Sequence, residues 1–495
     1  MKPTWYLTCA LALALVSGRA TAQAPAAAPT ARDVVARAVA AMGGESALRS
    51  VQGVSVEFYT ATFALGQEET PQSQARANQA VGQTLTDYAG GRQTGTIELR
   101  NPAGAVNRLR RITAGGIGML ETNGRQAPDN PITVANFEGG MRRALERLLV
   151  AGLDNPGALR AIPARNWRGE LHDGVRYANG PDTLDLFFDR RTALPVVTEA
   201  VSDDPILGDR HTVSWYTRWQ RSGPILYSRQ YDVEVNGRLQ THSVLTAVTI
   251  NPAIADSLFA IPDSITARAQ RSSTTPAPIV VTLVELSPGV WRAEGGTHFS
   301  LVVDQGTRLV VVEAPQGAPR MQAVLDTLRA RFPGKPVGLV VNTHHHWDHS
   351  GGLRAVLAAG IPVATQARNA AFVRGIAAAR KTVKPDELAR RLGPARVRPP
   401  AITAVADSMV LGTGDQRVVI YRVPTAHVEG MLAAYVPAAR LLFVSDVLSP
   451  GATLAPVGSA ELVALARARG IAVDRVAGGH GGVANWVDVE RAATP

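Results

Sequence analysis

The sequence predicts a two-domain chain, a mostly antiparallel β domain over 31–265 followed by an α/β domain over 279–495. Three observations predict it. Short runs of alternating apolar and polar residues fill the stretch from Val51 to Ile261. A polar, Pro-containing stretch, ARAQRSSTTPAP, then gives a linker, placed at 266–278. Beyond it, continuous apolar runs alternate with helical patterns. At 495 residues the chain is also too long for one ordinary domain.

The first residues are set aside before the fold is argued. Lys2, the apolar LTCALALALV (7–16) and the small-residue ATA (20–22) make up a secretory signal peptide, with cleavage expected after Ala22. The apolar run has 10 residues, and spanning a bilayer takes roughly 20. Cys9 lies inside that run, whereas a lipid-bearing cysteine would follow it. It is the only cysteine, so the mature chain forms no disulfide and offers no thiolate to a metal. Any metal must then be held by imidazole and carboxylate. The expected location is periplasmic or secreted.

In the β domain, RDVVARAVAAMGG (32–44) has helical spacing and a glycine stop. The runs VSVEFYTATFAL, TLDLFFD, HTVSWYTRW, ILYSRQYDVEVNG and LQTHSVLTAVTI follow, separated by Gly, Pro, Asn and Asp. They read as antiparallel strands, with VNGR the clearest hairpin turn. In the α/β domain, RLVVVEA, VGLVVNT and IPVAT read as buried strands. Between them RMQAVLDTLRARF places Met321, Val324, Leu325 and Leu328 on one helical face.

One stretch concentrates the candidate chemistry. NTHHHWDHSGG (342–352) sits where VGLVVNT ends and the helical GGLRAVLAAG begins, the edge of an α/β sheet at which ligands bind. In an extended turn His344 and His346 point to one side and can share a metal. Asp348 and His349 can reach a second position close by. Three further candidates follow apolar strands: His427 after RVVIYRVP, Asp446 after LLFVS, and His480 in VAGGHGG.

HHHWDH (344–349) resembles the H-x-H-x-D-H signature of the metallo-β-lactamase superfamily, and His427, Asp446 and His480 occur in the order that family uses. The resemblance covers roughly 279–495. It implies an αββα sandwich and two divalent metal ions, zinc foremost, with iron or manganese as alternatives. Carried over, His344, His346 and His427 hold the first ion, Asp348, His349 and His480 hold the second, and Asp446 bridges them. His345 and Trp347 occupy variable positions. The family usually ends the preceding strand in an aspartate that supports the ligands; here Glu313 is expected in that place. His172, His211, His242 and His298 have no partners at ligand spacing and read as structural.

A metal pair makes hydroxide available near neutral pH, and no Ser–His or Cys–His nucleophile motif competes with it. The expected activity is a metal-dependent hydrolase in which hydroxide attacks an ester, thioester, lactone or amide. Asp348 is the candidate catalytic residue, orienting the water or passing on a proton while remaining a ligand. Asp446 resembles the thioesterase, lactonase and phosphoesterase members more than the β-lactam hydrolases. The rivals are a non-haem iron oxidoreductase of the same fold, and an apolar-ligand binding protein whose metal domain is inactive.

The formal charge is +10, with nine basic and two acidic residues between Gln366 and Pro400. Beside a cleft, such a segment would attract anionic substrates or phospholipid head groups; the plain reading is a solvated helix face such as PDELARRLG. The expected partner is a small molecule, anionic or acyl-containing, with peripheral membrane contact as an option and no nucleic acid. The front domain faintly resembles periplasmic lipoprotein carriers, which implies a curved sheet or half-barrel wrapped around an N-terminal helix. The plain alternative is a structural or dimerising β domain.

Overall fold

The computed structural model describes residues 29–167, 169–271, 278–393 and 400–494. The signal-peptide reading of 1–22 and Cys9 lie outside the described residues. Among the described residues, no helix is long and apolar enough to cross a membrane.

The front part opens with the helix Ala31–Ala41. Thr30 and Asp33 cap it reciprocally, each side chain accepting from the other's backbone N–H. A sheet of 13 strands follows, and every neighbouring pair is antiparallel. Its centre is the pair formed by its first strand, Gly53–Phe63, and its last, Arg238–Ile250, with Val54 opposite Ile250. Successive hairpins lead outward to Arg125–Pro128 at one edge and Leu159–Trp167 at the other. The VNGR turn is a two-residue hairpin between Val235 and Arg238. Asn236 and Gly237 both have positive φ, 49° and 77°, as the right-handed twist of the flanking strands requires.

Two elements depart from the sequence expectation. The stretch 51–261 is not uninterrupted β, because Pro131–Arg143 and Leu145–Asp154 are helices. One sheet face needs an apolar cover, and Leu145, Leu148 and Leu149 supply it. They join Val34, Val35 and Ala38 of the first helix over Val175, Tyr177, Leu186 and Phe188. The start of the expected linker at 266–278 is also ordered, within the helix Asp263–Arg271. Ile265 ties that helix to Ile112, Met119 and Phe259 of the front part.

The C-terminal part is two sheets face to face, with helices outside both. The first has seven strands from Thr282–Ser287 to Ile402–Val405, and the second has six from Ser408–Leu411 to Val483–Asn485. Its apolar runs are continuous because successive residues serve different cores. Leu301, Val303, Val310, Val312 and Val341 face the second sheet's Ile420, Leu432, Ala434 and Phe443. Val302, Val311 and Val340 face outward, onto Met321, Val324 and Leu328 of the helix Ala318–Arg331. The helices Pro456–Arg469 and Trp486–Ala492 cover the other side.

The two parts are docked. The turn between the strands Pro195–Asp204 and Gly208–Ser222 inserts Ile206 into the outer core of the C-terminal part, at 5% exposure. Around it Lys381 pairs with Asp203 and donates to the Asp204 carbonyl at 3.0 Å. Asp209 accepts from Thr382 N at 2.6 Å and Val383 N at 3.1 Å. Four of the nine basic residues of the 366–400 segment are engaged: Lys381 here, Arg390 with Glu387, Arg391 with the Ala358 carbonyl, and Arg368 with Glu429. Ile206→Ala should lower the unfolding free energy by about 2–5 kcal/mol, the usual cost of emptying such a core position. A denaturant titration followed by the fluorescence of Trp291 and Trp486 checks it, and an unshifted midpoint would show the hairpin undocked.

Candidate metal centre

The histidine turn is fastened from beneath. The strand Val337–Asn342 ends in Asn342, whose side-chain amide donates to the His344 carbonyl at 2.7 Å. Ser350 Oγ donates to the same oxygen at 3.1 Å. Trp347–Ser350 then makes a single helical turn, starting with His349 N and Ser350 N donating to the His346 carbonyl. This turn swings Asp348 and His349 away from His344 and His346, so one short segment serves two positions.

Strand ends of the second sheet bring the remaining groups. His427 follows Val418–Val423, Asp446 follows Leu441–Val444 and His480 follows Arg475–Gly478. His344, His346, His427 and Asp446 gather with one potential ligand atom each within 4.8 Å of one another, and so do His298, Asp348, His349 and His480. All seven residues expected from the sequence are thus in one place. Asp446 stands between the two groups. Its Oδ2 lies 3.2 Å from His427 Nε2 and 3.8 Å from His344 Nε2. Its Oδ1 lies 3.0 Å from His349 Nε2 and 3.1 Å from His480 Nε2.

The donor set fits cations. His346 Nδ1 and His427 Nε2 are 3.1 Å apart, as are His349 Nε2 and His480 Nε2. Ring nitrogens sharing one zinc at its usual bond lengths lie about 3.3 Å apart. His344 Nε2 is buried and makes no hydrogen bond, which is costly unless another partner is supplied. Burial, with His349 and His346 nearby, holds His344 well below the ordinary histidine range. Burial likewise lowers His346 to about 4, against the Glu68 carbonyl bond that raises it. Both imidazoles are neutral near pH 7, with lone pairs to offer.

The carboxylates are charged. Burial would raise Asp348, but the hydrogen bond from His298, the charge of His349 and the Gln67 amide bring it to about 2. Burial is also overcome at Asp446, where the surrounding His349, His427 and His480 nitrogens hold it far below the carboxylate range. Glu313 does stand behind the site. Fully buried, it accepts from His349 Nδ1 at 2.6 Å and from the Thr343 hydroxyl. That bond leaves His349 Nε2 for the centre. Glu313 reaches there from a left-handed backbone, φ 83°, a conformation that costs about 1–3 kcal/mol and concentrates at functional sites.

The expectation that His298 is structural is corrected: its Nε2 lies 3.2 Å from Asp348 Oδ2 and its ring centroid 3.9 Å from that of His480. It sits in the loop before Ser300–Asp304, at the same sheet edge as the signature but two strands away, so sequence spacing gave no signal. His172 packs against Trp167, His211 lies beside Glu199 and His242 bonds Asp232, all in the front part. His345 is buried between His346 and Phe372 with neither ring nitrogen bonded. Sequence reading also missed Gln67 and Glu68. Gln67 Nε2 donates to Asp348 Oδ1 at 2.8 Å across 281 residues of sequence, and His346 Nε2 meets the Glu68 carbonyl at 2.9 Å.

The family model of the metallo-beta-lactamase superfamily matches residues 293–486. Among solved structures, a metallo-beta-lactamase from Pontibacter korlensis is 19% identical, covering 42% of this chain and 95% of its own at a TM-score of 0.33. The metallo-beta-lactamase FIM-1 from Pseudomonas aeruginosa, solved in its mono-zinc form, is 18% identical, covering 44% and 99% at a TM-score of 0.33. No curated protein matches the chain. The front part lies outside the family match. Over 293–486 the chain carries the metallo-β-lactamase fold, and with it the divalent-metal binding that this fold implies.

Proposed function

We propose that the protein is an exported, dinuclear metal-dependent hydrolase, with zinc as the metal, acting on an ester, thioester, lactone or amide. The observation that carries this reading is Asp446, with one oxygen toward each histidine group. A carboxylate so placed holds two cations together, whereas a single structural ion would need only one of its oxygens. A divalent pair supplies Lewis acidity and makes water nucleophilic near neutral pH.

In this reading His344, His346 and His427 hold one ion, Asp348, His349 and His480 the other, and Asp446 both. His298 stands beside the second position, where it holds Asp348 by hydrogen bond. Asp348 takes the catalytic role of orienting water. A carboxylate with a pKa near 2 is a weak base at neutral pH, and general-base efficiency peaks when the pKa lies near the working pH. Orientation is therefore favoured over proton transfer. Two neighbouring carboxylates also make the centre hard and oxygen-seeking, which suits carbonyl substrates.

Purified protein should carry two divalent ions per chain by elemental analysis and turn over an aryl ester or thioester. Chelation should abolish that turnover, and zinc should restore it. Asp446→Ala should lower kcat/KM more than about 100-fold, beyond the roughly 10–100-fold typical for a supporting partner. A metal-free chain, or a fully active Asp446→Ala variant, would refute the proposal.

Glu313→Ala should cost roughly 10–100-fold in metal affinity through His349. Competition with a zinc-binding dye reads this directly. Unchanged affinity would remove Glu313 from the support of the site.

A further inference from the structure

The turn between the two strands Gly53–Phe63 and Ala77–Asp87 belongs to the front part, yet four successive residues of it bond the segments that carry the metal centre. The Gly66 carbonyl accepts from Trp347 N at 3.2 Å. The Gln67 amide donates to Asp348 Oδ1 at 2.8 Å. The Glu68 carbonyl meets His346 Nε2 at 2.9 Å, and the Glu69 carbonyl accepts from Glu429 N at 2.9 Å. Two of these bonds end on different metal groups, His346 in one and Asp348 in the other.

The turn is built for this. Glu68 is 1% exposed, and its carboxylate accepts from Gly66 N and pairs with Arg238 at 2.7 Å. Arg238 also donates to the Ser73 carbonyl at 3.0 Å, closing the turn from the neighbouring strand. Gly66 has φ 87°, a backbone bend that glycine adopts without strain.

The atoms touched are the ones a metal would not use. With Nε2–H of His346 given to Glu68, Nδ1 is the lone pair that faces His427 Nε2. With Oδ1 of Asp348 held by Gln67, Oδ2 faces His298 and His349. Such outer bonds fix tautomer and orientation and raise metal affinity.

We propose that the 64–76 turn of the front part is a working component of the metal centre, with Gln67 and Glu68 as positioning residues for its two halves, so that both ion positions are complete only when the front part is docked. The inference rests on the metal-binding reading above. It is tested in the full chain by titrating Zn²⁺ or Co²⁺ against a chelator in wild type, Gln67→Ala and Gln67→Met, with thermal unfolding of the metal-free forms as control. Both variants should weaken the second ion by roughly 10–100-fold, shown in the Co²⁺ form as loss of one set of visible bands, and leave the first ion and the metal-free Tm unchanged. Arg238→Met, which frees the turn, should weaken both ions. If wild type binds two ions and the Gln67 variants bind both as tightly, this inference falls alone. If they lose both ions together with a lower metal-free Tm, Gln67 is a packing residue and the inference also falls. A wild-type chain that takes up no metal overturns the metal reading and this inference with it.

Discussion

The site depends on one electrostatic constraint, a cluster of imidazoles and carboxylates withdrawn from water and crowded around Asp446. Burial disfavours any charged group, so the imidazoles of His344 and His346 stay neutral, whereas at Asp348 and Asp446 the hydrogen bonds and charge of neighbouring histidines overcome it and keep them ionised. The protein places Glu313 and His349 together at the back, yet leaves His344 Nε2 unbonded at the front. A cation would supply the partner that His344 Nε2 lacks, which is how metal binding couples to folding.

Everything in the C-terminal part serves to hold that arrangement. Strands buried on both faces are held by the two cores they pack between. Their ends are therefore fixed points, and His427, Asp446 and His480 hang from three such ends. The histidine turn rests on Asn342 and Ser350, which bind the same carbonyl. Helices packed outside both sheets keep the strand ends from spreading.

How much of this was legible in the sequence follows from the range of each interaction. The 344–349 turn is local, so its six residues display the two-position pattern directly. His427, Asp446 and His480 were visible because a polar group just after an apolar run is conspicuous. Met321, Val324, Leu325 and Leu328 form the buried face that their spacing predicts. His298 was visible only as a loop residue, in GGTHFS, with a place near the cleft; its contact with Asp348 depends on the sheet that brings the two together. Gln67 and Glu68 were still less so, because their role depends on how two separately folded parts dock. The helices between Pro131 and Asp154 were obscured by glycines and arginines in their midst, and the apolar triad of Leu145, Leu148 and Leu149 is short. Only the exposed sheet face explains them.

The central strand pair of the front part has a mechanical consequence. Val54 lies opposite Ile250 and Thr62 opposite Thr241, so the covalent connection to the rest of the chain leaves from one end of that pair and the 64–76 turn projects from the other. Strands of 11 and 13 residues separate the two ends by roughly 35 Å at the usual rise per residue. The pair is a lever arm: a tilt of about ten degrees at the tether would carry the far tip about 6 Å, enough to bare or cover the Asp348 side of the cleft. Lys381, clamped to Asp203 at that same far end of the sheet, is the brace that opposes such a swing.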